Sequence, residues 1–253
     1  MCTVSFIPVG DPQDVHGTPG AAHKFFITSN RDEKLNRKIA QAPSIHEYNG
    51  VKFLFPKDTD AGGTWIVIKE NGDSAVLLNG AFINHTAEPP YRKSRGLILL
   101  DILADEMPSA AFSKIDLKNI EPFTIILFEN NSLFEFRWDG VEKFGKQLSK
   151  QQAYIWSSAT LYDGLTILKR EKWFFEFLKQ PIAPSQQTII NFHRFTGDGD
   201  SHTDLLMYRG GLHQTVSITS IELNMNQAKM QYLDLKENKL FLNEAFVTSA
   251  VEK

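Results

Sequence analysis

Residues 64–78 read TWIVIKENGDSAVLL, and they contain the clearest structural signal in the chain. Two apolar runs in this stretch flank Asn71-Gly72, a dipeptide typical of the tight turns that join antiparallel strands. The first run is rich in β-branched and aromatic residues, which favour strands. We therefore predict a β-hairpin here, with Asn79-Gly80 directly after its second strand.

Strand patterns continue on both sides of this hairpin. Six further runs are predicted strands, namely residues 3–9, 23–28, 51–55, 123–128, 133–138 and 153–157. Pro56 is expected to end the strand before it, because proline cannot donate a hydrogen bond to a neighbouring strand. Glu129-Asn130-Asn131 marks a second hairpin, and residues 215–242 alternate well enough for two or three more strands. Antiparallel pairing therefore dominates the prediction.

Helical periodicity occurs in three segments. Residues 94–107 repeat leucine at helical spacing, and Pro108 is expected to end that helix. Residues 163–180 begin with a potential N-cap, and residues 185–192 form a shorter helix. The expected shared apolar face of the second helix consists of Leu165, Leu168, Phe175 and Leu178. Strands and helices in separate blocks, with no repeat or linker, predict one α+β domain over residues 1–253.

Composition and charge argue against several classes of function. Lys and Arg number 27 against 30 Asp and Glu, so the net charge is −3 and gives nucleic acid no electrostatic reason to bind. Cys2 is the one cysteine, so an intrachain disulfide and a multi-cysteine metal site are excluded. We expect no transmembrane segment, because no apolar run approaches the roughly 20 residues that a spanning helix needs. The first residues do not resemble a signal peptide, so we expect a cytoplasmic protein.

Phenylalanine is unusually frequent, with 19 residues against six tyrosines and four tryptophans. Thick apolar layers without polar ring atoms explain this count, and a phenylalanine-lined ligand pocket is the alternative. Residues 198–204 alternate acidic and polar side chains but lack the glycine and glutamate of an EF-hand. We therefore expect a surface loop there and no resident metal or cofactor, and a divalent metal site that includes His193 is the alternative. The signatures of nucleotide-binding loops, zinc proteases and serine esterases are also missing.

Cys2 can act as a nucleophile if Met1 is removed. The thiol and a free α-amino group then belong to one residue, and an α-amine in a short peptide titrates at about pH 7.7 to 8.0. It can accept the thiol proton near neutral pH and activate the sulfur for attack on a carbonyl carbon. The alternative is a small buried apolar residue at the start of a strand.

A polar tetrad, Asn30-Arg31-Asp32-Glu33, directly follows the predicted strand at residues 23–28. Alone, it is typical of a solvated turn in which Asp32 caps a following helix. Together with Met1-Cys2, Gly62-Gly63-Thr64-Trp65 and Leu78-Asn79-Gly80, it resembles the NRDE family, also called the transport and Golgi organisation family. That family is related to N-terminal nucleophile hydrolases, and the resemblance in motifs covers roughly residues 1 to 100.

The resemblance implies a four-layer αββα sandwich and a set of site residues. In the related choloylglycine hydrolases and penicillin acylases, an Arg and an Asp from the loop after the second strand steady the terminal nucleophile. Here Arg31 would favour the thiolate of Cys2, and Asp32 or Glu33 would orient the α-amino group. Those relatives space Arg and Asp three apart, so the choice between the two acids stays open.

The same relatives imply three further site residues. Asn79 matches an asparagine that stabilises the oxyanion, a contribution of about 3 kcal/mol per donor. Ser158 stands where the relatives have a second asparagine, and its hydroxyl can also donate a hydrogen bond. Arg209 is a candidate for an arginine that occurs late in these hydrolases.

Two functions follow from these expectations. The first is a cysteine amidohydrolase that cleaves a linear carbon–nitrogen amide bond through a thioester. The second is a non-enzymatic carrier of haem or another hydrophobic ligand, because the NRDE family includes members linked to intracellular haem trafficking. In the second case the ligand would lie within the phenylalanine-rich layers, and a histidine could bind haem iron.

Overall fold

The computed structural model describes residues 3–10, 22–224 and 227–246, which form fourteen strands and four helices. In chain order the elements are β1 (Thr3–Gly10), β2 (Ala22–Lys34), β3 (Gln41–Tyr48), β4 (Val51–Lys57), β5 (Ile66–Lys69), β6 (Ser74–Asn79), α1 (Arg95–Ala104), α2 (Pro108–Lys114), β7 (Phe123–Glu129), β8 (Ser132–Trp138), β9 (Lys143–Leu148), β10 (Tyr154–Ser157), α3 (Gly164–Leu178), α4 (Gln186–Phe195), β11 (Tyr208–Arg209), β12 (His213–Asn224), β13 (Gln227–Asp234) and β14 (Lys239–Phe246).

The strands form two seven-stranded antiparallel sheets. Sheet I has the order β10-β1-β2-β12-β13-β14, with the short β11 paired to β12. Sheet II has the order β3-β4-β5-β6-β7-β8-β9, so each strand pairs with its neighbour in sequence. The prediction of antiparallel sheets is therefore confirmed. The strands paired in sheet I are often far apart in sequence, whereas those paired in sheet II are consecutive.

Alternation along β1 and β2 places apolar side chains on both faces of sheet I. Phe6 and Phe25 point toward sheet II, where both rings contact Phe128 of β7 at centroid distances of 6.2 and 4.8 Å. Their neighbours Ile7 and Phe26 lie in a second core with residues of α3 and α4. Because α1 packs on β6 and α2 on β7, the helices cover the outer faces, and the layers are αββα as the resemblance implied.

The two hairpin predictions are confirmed. Ile66 pairs with Val76 across the turn at Asn71-Gly72, where Gly72 has a φ of 92°. The second hairpin turns at Asn130-Asn131, and both asparagines have positive φ, which asparagine tolerates better than most residues. Strands β3, β9 and β11 were not predicted from the sequence.

Both proline expectations need correction. Pro56 lies inside β4, which continues to Lys57. Pro108 occupies the first turn of α2, where its missing N–H costs nothing, and α1 has already ended at Ala104. Proline therefore marks a helix start here, three residues after Asp105 caps the preceding helix.

Three of the four residues predicted for the packing face of the 163–180 helix point outward. Its expected residues Leu165, Leu168 and Phe175 are 78%, 62% and 55% exposed. The side that packs inward contains Thr166, Arg170 and Phe174. Leu178, the fourth predicted residue, is partly buried against the second core. The N-cap is as expected, since the Asp163 side chain accepts the Thr166 N–H.

None of the helices in the described ranges combines the length and apolar character needed to cross a bilayer. The longest, α3, has 15 residues and carries several charged side chains.

Candidate active site

The Asn30–Glu33 tetrad lies within β2 and not in a turn after it. Arg31 and Asp32 are each 3% exposed, and β2 is paired with β1 on one side and β12 on the other. The expectations of a solvated turn, a loop position and a helix cap at Asp32 are therefore wrong. The register of β12 shifts between Thr215 and Ser217, opposite Asp32 and Arg31, so a bulge lies beside the tetrad.

A cavity of about 680 Å³ opens beside the last residues of β2. Its wall combines parts of β2 with the residue 58–65 loop, the end of β6, the start of α1 and the residue 158–162 loop. Four predicted site residues line it, namely Arg31, Asp32, Glu33 and Asn79. Of the described residues, Ser158 and Arg209 lie outside the set that lines the cavity. Cys2 lies outside the described residues.

Asp32 is held by two hydroxyl donors. Tyr162 donates to Oδ2 at 2.8 Å, and Thr215 donates to Oδ1 at 2.5 Å. The Tyr162 ring is contacted by the guanidinium groups of Arg170, at 3.6 Å, and Arg209, at 5.1 Å from the ring centroid. Asp32 is therefore a hydrogen-bond acceptor at the cavity wall, and Arg209 lies against the ring of Tyr162, one of its two hydroxyl donors.

Arg31 is bound to carboxylates of its own. Its Nη2 is 2.6 Å from Oδ2 of Asp58 and 3.6 Å from Oε2 of Glu33, and its guanidinium stacks 4.3 Å from the Trp65 ring centroid. The same Asp58 also pairs with Arg37 at 3.1 Å. The positive charge of Arg31 is thus largely balanced by neighbours, which leaves less of it to favour a nearby thiolate.

Asp58 is an acid that the sequence argument missed. Burial raises its pKa, but the Ala61 N–H, the Arg37 side chain and the charge of Arg31 outweigh burial and lower the pKa overall. Asp58 lies four residues before Gly62 of the Gly-Gly-Thr-Trp box. Its closeness to that motif could have identified it as a candidate site residue. It ties the loop before the box to Arg31 of β2.

Glu33 differs from Asp32 in its surroundings. Its carboxylate faces Arg31 at 3.6 Å and Arg37 at 3.5 Å, and its side chain is 22% exposed. Asp32 thus accepts hydrogen bonds from two hydroxyl groups, whereas Glu33 lies within ion-pair distance of two arginines. Alternation along the strand is the reason, since neighbouring side chains leave a strand on opposite sides.

Ser158 holds the end of β6. Its hydroxyl donates to the Asn79 carbonyl at 2.8 Å and shares a second hydrogen bond with Thr160 at 2.9 Å. Gly80 has a φ of 78°, and a Cβ at this position would lie 2.9 Å from Cγ2 of Thr160. Glycine after Asn79 therefore allows both the turn and the close approach of the residue 158–162 loop. Arg209 fastens the same loop by donating to the Leu161 carbonyl at 2.8 Å.

The Gly-Gly-Thr-Trp box packs against the start of α1. A Cβ on Gly63 would lie 2.5 Å from the carbonyl carbon of Gly96, and one on Gly96 would lie 2.6 Å from the Thr64 oxygen. Neither position accommodates a side chain without moving the backbone. This contact sets the cavity wall formed by the box and the first residues of α1.

Thr3 is the first described residue of β1, and it begins beside the tetrad. It pairs with Asn30 on β2 and with Ser157 on β10. Arg170 of α3 donates to its hydroxyl and also to the carbonyls of Thr203 and Asp204. Arg170 was not predicted as a site residue, because its position in an apparently polar stripe of the helix suggested exposure.

Asn30 has a structural role. Its amide donates to the carbonyls of His193 and Leu205, and its oxygen accepts the His193 Nδ1–H at 2.7 Å. The other ring nitrogen, Nε2, therefore accepts a hydrogen bond from Ser5 at 2.8 Å. Ser5, Asn30 and His193 are all 0% exposed, so this Ser-His-Asn arrangement has no access for a substrate. Burial and then Arg170 lower the His193 pKa to about 3, so the ring is neutral.

The acidic loop at residues 198–204 uses its carboxylates locally. Asp198 pairs with Lys169 at 2.6 Å, Asp200 accepts the His202 N–H, and Asp204 accepts the Asp198 N–H. Within the described ranges, no group of three or more potential ligand residues could hold a metal ion.

A family model for Transport and Golgi organisation 2 matches residues 1–226. The chain belongs to this family. The matched range includes every residue that was assigned to the site from motifs, so the resemblance stated from the sequence is confirmed. A search of curated protein sequences finds no match.

A solved amidase structure shares the sandwich fold of this Transport and Golgi organisation 2 family member. A Caenorhabditis elegans N-acylethanolamine-hydrolyzing acid amidase ortholog aligns with a TM-score of 0.55 at 14% identity, over 86% of this chain and 92% of that chain. A mutant of conjugated bile acid hydrolase from Clostridium perfringens aligns with a TM-score of 0.46 at 10% identity, over 100% of this chain and 99% of that chain. At these identities the similarity concerns the fold alone.

Proposed function

We propose that this protein is an amidohydrolase that cleaves a linear carbon–nitrogen amide bond with Cys2 as its nucleophile. The main support for the proposal is that β1 begins close to Asp32. Thr3 pairs directly with Asn30, two residues before Asp32 on the neighbouring strand, and Cys2 is the residue bonded to Thr3. Consecutive Cα atoms are about 3.8 Å apart, so Cys2 is within one residue of this pairing.

In the proposed reaction the α-amine of Cys2 takes the thiol proton and the sulfur attacks the amide carbon. The carbonyl oxygen becomes an oxyanion, which the Asn79 amide stabilises. The carbon–nitrogen bond breaks, the leaving amine takes the proton from the α-ammonium group, and a thioester remains. Water then attacks the thioester, the amine accepts its proton, the carbon–sulfur bond breaks, and the acid leaves as the thiol is restored.

The remaining site residues act by position in this proposal. Asp32 orients the α-amine, because its carboxylate is fixed by Tyr162 and Thr215 at the cavity wall. Glu33 joins Arg31 in the ion-paired group around Asp58. Ser158 holds Asn79 in place, and Arg209 holds Tyr162 and its loop. Neither of these two needs to touch the substrate.

Mass spectrometry and thiol labelling test the proposal together. The intact protein from cells should lack Met1, and Cys2 should react with iodoacetamide faster than a free cysteine at pH 7. Cys2→Ser should abolish hydrolysis of any amide substrate while leaving the fold intact by circular dichroism. Retention of Met1 on the cellular protein, or full activity of the serine variant, would exclude Cys2 as an N-terminal nucleophile.

A haem or hydrophobic-ligand carrier is the competing proposal. His85 and His213 line the cavity and offer imidazole ligands, whereas no phenylalanine occurs among its described lining residues. Titration of the purified protein with haem separates the two functions. A shifted Soret band that disappears in a His85→Ala, His213→Ala double variant would support the carrier and argue against the hydrolase as the main function.

The proposal keeps the cytoplasmic location expected from the sequence, since a reducing compartment preserves a free thiol at Cys2. Fractionation of cells with an antibody to the native protein tests that location.

A further inference from the structure

Charge dominates the wall of the cavity. Of the 23 described residues that line it, nine carry a formal charge at neutral pH, and four are apolar beyond glycine: Ala61, Trp65, Leu77 and Leu161. Ligand pockets are usually lined mainly by apolar side chains. A long alkyl chain enclosed here would remove water from charged groups without replacing their hydrogen bonds. The wall therefore disfavours a fatty acyl group and favours a polar ligand.

Most of these charges already have partners. Arg31 and Arg37 bind Asp58, Arg95 lies 3.0 Å from Glu121, and Lys93 lies 2.6 Å from Asp101. Their guanidinium and ammonium groups are held in place by carboxylates of the protein. These groups make the wall polar. Because each is already paired with a carboxylate of the protein, each would bind a ligand anion less strongly than an unpaired cation would.

Lys34 differs from the other cations. It is the last residue of β2, it lines the cavity, and no carboxylate lies within salt-bridge distance of its ammonium group among the described residues. Its strand partner His213 also lines the cavity, and burial together with the charge of Lys34 lowers the His213 pKa.

Polar atoms without partners lie in the same wall. Trp65 Nε1 and His85 Nδ1 are buried and have no hydrogen-bond partner among the described residues. Buried polar groups are normally satisfied by protein, water or a ligand. Both atoms are buried beneath the wall surface, so they do not by themselves select the ligand.

We propose that the substrate is a short polar amide that carries one carboxylate, and that Lys34 binds this carboxylate. The inference rests on the proposed amidohydrolase function for its reaction and on the cavity wall for its ligand class. A carboxylate fits better than a phosphate, because a phosphate would need more than Lys34, the one cation without a carboxylate partner among the described lining residues.

Two amides of equal acyl length provide the test. Glutaric acid mono-4-nitroanilide ends in a carboxylate, and pentanoic acid 4-nitroanilide ends in a methyl group in its place. We expect kcat/KM to be at least about 10-fold higher for the glutaryl amide, because a site that pairs a charged group discriminates strongly against an analogue without it. Equal rates, or faster cleavage of the pentanoyl amide, would overturn the proposal.

The Lys34→Gln variant tests whether Lys34 binds the substrate carboxylate, and Lys38→Gln is the matched control. Lys38 lies four residues further along the chain, its side chain is 76% exposed, and it is not part of the described cavity wall. Lys34→Gln should lower the preference for the glutaryl amide about fivefold or more while sparing the pentanoyl amide. Lys38→Gln should leave the preference unchanged. An unchanged preference in both variants would remove Lys34 from the proposal.

Binding measurements test the proposed ligand class independently of the proposed hydrolase reaction. If the wild-type protein cleaves neither amide, calorimetry with the same two compounds still reports which one it binds. Tighter binding of the glutaryl amide would support the ligand class and count against the hydrolase. Equal or tighter binding of the pentanoyl amide would overturn the ligand class, whatever the reaction.

Discussion

Two parts of β2, its apolar half at residues 25–27 and its polar half at residues 30–32, are similarly buried, yet different forces stabilise them. Phe25, Phe26 and Ile27 are at most 5% exposed and lie in the two apolar cores of sheet I. Asn30 and Asp32, further along the same strand, are at most 3% exposed and are held by hydrogen bonds. One half gains stability from removing apolar surface from water, and the other loses stability unless every polar atom keeps a partner. Burial alone therefore does not distinguish core from candidate site.

The apolar half should give the largest loss of stability. Phe26→Ala removes a ring that packs against α3 and α4, and we expect a loss of about 3 to 5 kcal/mol in the free energy of unfolding. Urea denaturation followed by circular dichroism measures this loss. The rate of any detectable reaction per folded molecule should stay within about twofold, because the ring is remote from the cavity wall. A loss below about 1 kcal/mol would mean that this core does not depend on the ring.

The polar half should respond to the loss of hydrogen bonds. Asn30→Ala leaves the carbonyls of His193 and Leu205 without their side-chain donor, and we expect a loss of about 2 to 3 kcal/mol. The matched control is Asn191→Ala on the exposed side of α4, which should cost less than about 0.5 kcal/mol. The same denaturation experiment compares the two. Equal effects would show that the buried amide network contributes nothing specific.

Tyr162→Phe tests the support of Asp32 with minimal change in volume. The variant removes one hydroxyl donor from the carboxylate and keeps the ring between Arg170 and Arg209. We expect a loss of about 1.5 kcal/mol in stability, and about a tenfold decrease in kcat once a substrate is known. Tyr91→Phe, at another part of the cavity wall, is the control. A stability loss with unchanged kcat would restrict Tyr162 to the fold.

The smallest effect should be a dependence of stability on pH through His193. Its folded pKa of about 3 lies below the ordinary value of 6.5, so the unfolded chain binds the proton more readily between these values. Stability should therefore fall as pH is lowered below 6.5, by about 1 kcal/mol between pH 7 and pH 5.5 from this group. His193→Gln should lose that part of the slope, and His202→Gln, in the exposed loop, should keep it. Urea midpoints at both pH values decide the matter.

The sequence predicted the secondary structure best where apolar residues recurred at regular spacing and the turn residues were distinctive. The Asn71-Gly72 hairpin, the 123–138 hairpin and the three strands after residue 213 all follow this rule. The strand β9 (Lys143–Leu148) escaped because it lies at the edge of sheet II and is mostly exposed, so it needs no apolar alternation. Pro108 was expected to end α1, but it begins α2. The sequence does not separate these two cases, because proline is common both after the end of a helix and in the first turn of one.

The candidate site was only partly predictable. Motifs identified Arg31, Asp32, Glu33 and Asn79, and all four line one cavity. They gave no indication of Tyr162 or Thr215, which lie 130 and 183 residues from the carboxylate they bind. No local pattern records a pairing at that distance. Asp58 was nearer to a recognised motif, but its role depends on the approach of Arg31 from the other sheet.

The sequence by itself determined the antiparallel α+β architecture, the family and the strand that carries the tetrad, because these depend on local period, turn chemistry and short motifs. Only the tertiary structure decided what each tetrad side chain does. It balanced the charge of Arg31 with Asp58, fixed Asp32 with two hydroxyl groups and turned Arg170 inward toward Thr3. The physical reason is that a side chain's direction is set by strand alternation, whereas its partners are set by register and packing between distant segments.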